Sequence, residues 1–217
     1  MSARRGTAFD CEAPASGFNL AAVARFSDVS ATNSYRGFWT RNSCEYAVFS
    51  NVIARNNVFG MVVSSGNISV SGFEFVWNYN NLQIVGQANG NSCHGSFTGG
   101  VSNHGVYNLE VLSCGLGQSF SGVNFIGDQG GSLELGGVIR IANSRGINIV
   151  GGILGSKVLV ERCDPVTGNC LLAGANKIDG MYVRDDVPGW KNPVVSYPGG
   201  LIAKNNFNGA GLVGWNN

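Results

Sequence analysis

The sequence predicts an all-β chain wound as a parallel β-helix, and three observations carry that prediction. One short motif recurs at Arg25–Val29, Val48–Val52, Ser69–Phe73, Ser96–Val101, Gln118–Asp128, Asn148–Ile153 and Lys177–Met181. With Phe26, Phe49, Val70, Phe97, Phe120, Ile149 and Ile178 as its register, the steps are 23, 21, 27, 23, 29 and 29 residues. Such a period marks a stacked repeat. A second apolar run follows each of the first six copies in step: Gly37–Thr40, Gly60–Val63, Leu82–Val85, Leu109–Leu112, Val138–Ile141 and Val158–Val160. Finally, 33 glycines, frequent Asn, more Val than Leu and only 12% charged residues suit short strands and tight turns, not helices.

Residues 1–23 form a lead-in, broken by Pro14 and Gly17, whose Ala-rich part could make one short helix capping the stack. Residues 24–217 form the repeats. Asn33, Asn57, Asn81, Asn103 with His104, Asp128, Ser156 and Asp185 with Asp186 close corners between strands, because Asn and Asp tolerate left-handed backbone. The steps leave no room for βαβ units, and the repeated Leu pattern of leucine-rich repeats is absent. A coil of two or three short parallel strands therefore remains. Its interior stacks like residues ~4.8 Å apart. Phe26, Phe49, Phe97 and Phe120 make an aromatic ladder interrupted by Val70, beside a column of Val29, Val52, Phe73, Val101, Val123, Ile153 and Met181.

The longer later repeats shed their excess as loops at 86–92, 164–176 and 185–199, the last holding three of the five prolines. Such loops are where binding surfaces arise. A last short coil spans Leu201–Phe207, and open strand edges require a covering partner. The six cysteines read as small buried thiols, with a local Cys163–Cys170 disulfide as an alternative and no paired spacing for zinc.

Segments such as Phe120–Asp128 and Ile147–Gly155 resemble coils of the right-handed β-helix superfamily of pectate lyases and bacteriophage tailspikes. The resemblance spans roughly residues 25–210. It implies a right-handed, single-stranded parallel β-helix of about seven to eight coils, and most resembles phage tailspike or tail appendage proteins. That likeness implies a virion structural protein, made in the host cytoplasm, which binds a host surface glycan or mediates adsorption. It also implies a homotrimer in contact with other virion proteins. A polysaccharide depolymerase acting on capsular or O-antigen chains is the alternative, and a bacterial β-helix adhesin a further one. The calcium-dependent lyase activity of the superfamily is not expected, because no Asp-rich cluster beside a Lys or Arg repeats across coils.

A net charge of +1 gives no footprint for nucleic acid, and no export signal or apolar run of transmembrane length is visible. No phosphate loop, metal set or cofactor motif is present. His94 and His104 read as turn residues, and Asp28 and Asp179 as turn or edge residues. If the chain is catalytic, paired carboxylates are the candidates. Glu110 and Glu134 read as equivalent outward positions one coil apart, with Asp185 and Asp186 as a second pair beside the long loop. Against these stands a plain solvated outer face. For saccharide binding the aromatic candidates are Trp190, Tyr197, Trp77, Tyr79 and Tyr107. Trp77 packed inside and Tyr107 covering a seam are the alternatives.

Overall fold

A computed structural model describes residues 6–12, 24–41, 44–86, 93–115, 117–127, 137–170, 172, 174–183, 192–197, 200–204 and 212–213. Among these residues there is no helix, and every strand pairing is parallel. Three sheets of nine, eight and seven strands stack into a β-solenoid of about 6 turns. That is slightly fewer than the seven to eight coils expected, because the end strands do not all belong to complete turns.

Each turn takes one strand from each sheet. In the first complete turn Arg25–Ser27 lies in the eight-stranded sheet, Ser30–Thr32 in the seven-stranded sheet and Arg36–Arg41 in the nine-stranded sheet. The next turn repeats this with Val48–Ser50, Ile53–Arg55 and Phe59–Ser64, and the third with Ile68–Ser71, Glu74–Val76 and Asn80–Val85. Gly95–Thr98, Val101–Asn103 and Tyr107–Leu112 follow in the fourth. The recurring motif thus supplies the eight-stranded sheet and the start of the short third sheet. The second apolar run supplies the nine-stranded sheet.

The aromatic ladder is the spine of the core. Phe26, Phe49, Val70, Phe97 and Phe120 are register partners in successive coils. Phe26 stacks on Phe49 with centroids 4.7 Å apart, and Phe97 on Phe120 at 5.1 Å. Parallel pairing at one strand spacing forces such stacking of like rings. Two residues after each ladder position the backbone turns left-handed: Asp28, Asn51, Gly72, Gly99, Gly122, Gly151 and Gly180 all have φ between 51° and 62°.

The neighbouring inward column needs a correction. Val29, Val52, Phe73, Val123 and Met181 hold it as expected, but Val101 and Ile153 do not. Gly100 and Gly152 stand in their places, three residues after Phe97 and Ile149. Val101 and Ile153 fall one residue later, in strands where they pair with Glu74 and Tyr182. The fit explains the glycines. A Cβ on Gly100 would meet the Phe73 ring at 2.4 Å, and one on Gly152 would meet the Val123 carbonyl oxygen at 2.2 Å.

A buried asparagine ladder joins the third sheet to the nine-stranded one. Asn57 Nδ2 donates to Asn78 Oδ1 (3.0 Å), Asn78 Nδ2 to Asn81 Oδ1 (2.9 Å), and Asn81 Nδ2 to Asn108 Oδ1 (3.0 Å). Asn108 Nδ2 then reaches Ser156 Oγ. Each rung also satisfies corner backbone, as when Asn78 Nδ2 donates to the Ala54 carbonyl. Buried backbone at a corner requires such partners. Asn57 and Asn81, read from sequence as left-handed turn residues, are ladder rungs instead. The left-handed positions at this corner are Asn33, Asn56, Trp77 and His104.

The buried-thiol reading is overturned and the alternative Cys163–Cys170 disulfide holds, since all six cysteines are paired as Cys11–Cys44, Cys93–Cys114 and Cys163–Cys170. Cys93 and Cys114 lie at neighbouring places in successive coils, with Cα atoms 5.4 Å apart. Stacking therefore brings recurring thiols within bonding reach. Cys163–Cys170 closes a turn in which Asp164 accepts hydrogen bonds from Ser113 Oγ and from the backbone N–H groups of Val166 and Thr167.

Two segments read as outside the coil contain strands. Thr7–Glu12, within the lead-in, pairs with Arg36–Arg41. Asn192–Ser196, within the expected 185–199 loop, pairs with Val158–Glu161. The Ala-rich stretch expected as a helix lies outside the described residues.

Candidate functional site

The outer side of the corner that enters the nine-stranded sheet collects exposed aromatic rings. At the left-handed position of this corner the first two coils carry Asn33 and Asn56, but the next two carry Trp77 (φ 58°) and His104 (φ 53°). Asn is at ease there; a bulky ring is an outlier whose backbone costs about 1–2 kcal/mol. Trp77 is nonetheless 49% exposed, so about half of its surface is presented to solvent from that position. Its ring stacks on His104 with centroids 4.1 Å apart and planes within 7°. Asn78, the next residue, locks the corner through the ladder.

Tyr79 follows, 57% exposed, with its edge to Tyr107 of the next coil (6.4 Å, 68°). Toward the first coil Tyr35 meets Phe59 edge-on at 5.5 Å. Arg36, Phe59, Asn80 and Tyr107 are register partners, so this strip runs along the solenoid axis over four coils. Trp39 also lies on the outer face of the nine-stranded sheet, with Arg36 Cζ 4.2 Å and Arg41 Cζ 4.4 Å from its ring centroid.

Glu110 lies on the same sheet between the inward Leu109 and Val111, so alternation turns it outward as expected. Yet it is only 6% exposed. Asn80 Nδ2 and Gln83 Nε2 both donate to its Oε2 at 2.8 Å, and Arg140 Nη1 approaches Oε1 at 3.5 Å. Arg140 also donates from Nε to Glu161. That hydrogen bond raises the Arg140 guanidinium above its ordinary value, against the opposing effect of burial and with help from the Glu161, Tyr107 and Glu110 charges. Three donors thus occupy the Glu110 carboxylate, an arrangement suited to positioning and poorly suited to proton transfer. Its register partner in the following coil is Arg140, not Glu134 as the sequence reading had it, because that coil's strand begins at Val138.

Of the residues singled out from sequence, Trp77, Tyr79 and Tyr107 come together on this strip. Tyr197 sits apart, before the strand Leu201–Lys204, partly buried with its hydroxyl lacking a partner among the described residues. Burial pushes its phenol upward, against a smaller opposing effect of the Arg162 charge. Glu134, Asp185, Asp186 and Trp190 lie outside the described residues. Tyr35, Arg36, Trp39 and Phe59 were not singled out. Phe59 opens its strand as Tyr107 does, Tyr35 precedes Arg36 at the same corner and Trp39 lies farther along that strand, a grouping legible only once register is known.

Among the described residues no group of three or more His, Cys, Asp or Glu side chains is placed to hold a metal ion, and no helix is long and apolar enough to cross a membrane. Comparisons of the chain with protein-family profiles, with curated proteins and with solved structures find no match.

Proposed function

We propose that this β-solenoid is a virion structural protein of the tailspike or tail appendage type, which binds a bacterial surface glycan along the strip of Trp77, Tyr79, Tyr107, Tyr35 and Phe59. The observation that carries this reading is Trp77, an exposed indole held at a left-handed backbone position. Strained backbone that presents a side chain to solvent is more often kept for binding than for folding. Exposed rings in a row suit the apolar faces of pyranose sugars, which stack on aromatic surfaces while their hydroxyls bond the rim. The three disulfides favour a working place outside a reducing cytoplasm, as on a virion surface.

Catalysis has less support. Glu110 is engaged by three donors, and a depolymerase needs one carboxyl free to give a proton and a second to act opposite it. The experiment that separates the readings is incubation of the protein with host capsular or O-chain polysaccharide. Retention of the polysaccharide without release of new reducing ends is the expected result. Release of oligosaccharides that is lost in Glu110→Gln would overturn it. The proposed assembly is a trimer with coils side by side, and native mass spectrometry showing only monomer would count against it.

A further inference from the structure

We infer that Arg36 is the anion-recognising centre of the aromatic strip and that the glycan taken there carries carboxylate groups; this rests on the glycan-binding reading above. Four arginines border the strip, and three of them are neutralised. Arg41 pairs with Asp10 (2.9 Å) and Glu12 (2.6 Å), Arg55 with Glu74 (2.5 Å), and Arg140 with Glu161 (2.5 Å) and Glu110 (3.5 Å). Arg36 has no carboxylate partner among the described residues, and its Nε–H is buried without an acceptor. A buried donor without a partner is uncommon in folded proteins and calls for a specific account.

The guanidinium is held in place by rings instead of by an anion. Its Cζ lies 4.8 Å from the Tyr35 centroid and 4.2 Å from that of Trp39. Such stacking fixes the plane of the fork, and with Nε buried its two terminal amino groups are left for an incoming acceptor; planar N–H donors match a carboxylate better than a neutral hydroxyl. Register then sets the reach. Arg36 pairs with Phe59, and Phe59 with Asn80, the residue after Tyr79. Arg36 thus lies two strand spacings, ~9.6 Å, from the Tyr79 level. An oligosaccharide stacked on Trp77 and Tyr79 and running along the axis would bring an acidic sugar onto Arg36.

The test is a printed array carrying neutral glycans (dextran and mannan oligomers) and acidic ones (sialylated and glucuronate-bearing oligomers), probed with wild type, Arg36→Gln, Arg36→Lys and Trp77→Ala. Wild type is expected to bind acidic members, with affinity falling as salt rises. Arg36→Gln should weaken that binding about tenfold, the effect of losing a charged hydrogen bond. Arg36→Lys keeps the charge without the fork and should remain weaker than wild type. Should Arg36→Gln fail a thermal-melt check of folding, the lysine variant and the salt dependence decide. Binding confined to neutral glycans, or Arg36→Gln equal to wild type on acidic ones, would overturn this inference and leave glycan binding standing. No binding by wild type to any glycan would overturn the glycan reading itself.

Discussion

Asn57 and Asn78, 21 residues apart in sequence, are bonded twice across neighbouring coils: both the backbone N–H and the Nδ2 of Asn57 donate to Asn78 Oδ1, at 2.9 and 3.0 Å. Asn78 lies between Trp77 and Tyr79, the residues that present the most exposed rings of the strip, so the buried ladder positions the outer surface. Asn78→Ala would strand the Asn57 N–H and take the side-chain donor from the Ala54 carbonyl, while Asn81 Oδ1 keeps the backbone N–H of residue 78. We expect a loss of about 1–3 kcal/mol for each group left unpaired, read as a lower midpoint in urea unfolding. A loss below the first kcal/mol would show the ladder to be incidental.

The glycines divide into two kinds that substitution should separate. Gly99 has φ 56°, nothing within 4 Å of an added Cβ, and occupies the position that Asp28 and Asn51 fill in earlier coils. Gly99→Asn is therefore expected to change stability by less than about 1 kcal/mol. Gly152, with φ 93° and the Val123 carbonyl 2.2 Å from an added Cβ, has no room. Gly152→Ala should cost at least about 1–3 kcal/mol through overpacking. Equal melting temperatures for the two variants would contradict this packing.

All six cysteines are paired, so the protein denatured without reductant should show no reactive thiol by a colorimetric thiol assay, and six once it is reduced. The Cys93–Cys114 bond closes a 21-residue separation. Its loss in a Cys93→Ser, Cys114→Ser double variant should cost about 3 kcal/mol by loop-closure entropy. Six reactive thiols after denaturation without reductant would restore the buried-thiol reading.

Asp164 ties the Cys163–Cys170 turn to the stack. Burial alone would push its carboxyl up, but the hydrogen bonds from Ser113 and from the Val166 and Thr167 backbone together hold it below its ordinary value. A carboxyl lowered by folding contributes stability that is complete above the unfolded value, about pH 4, and is lost as pH falls through the folded one. Stability of the wild type should thus decline below about pH 4 more steeply than that of Asp164→Asn. Parallel acid profiles for the two would remove Asp164 from this role.

The solenoid was legible in the sequence because inward positions repeat in register: Phe26, Phe49, Phe97 and Phe120 must stack if the strands are parallel. The sequence also named Trp77, Tyr79 and Tyr107 separately, since surface rings stand out in a chain poor in charge. What it concealed was lateral. Cys93 and Cys114 look like two occupants of one site until coils are stacked, when they become one bond. Val101 and Ile153 look inward because a Gly-Gly pair displaces the count by one residue. Arg36 shows nothing unusual until Tyr35 and Trp39 are seen to flank its guanidinium while the other arginines of that surface find carboxylates.

The most direct test of the proposed surface is calorimetric titration of wild type and Trp77→Ala with the host polysaccharide, beside thermal melts of both. Trp77→Ala keeps the Cβ, and with it the cost of the left-handed backbone, and removes a half-exposed ring. It should lower the melting temperature only slightly and weaken binding at least about tenfold, the scale of an aromatic platform lost to alanine. Unchanged affinity in Trp77→Ala, or a large loss of stability with binding intact, would contradict the assignment of this corner to glycan recognition.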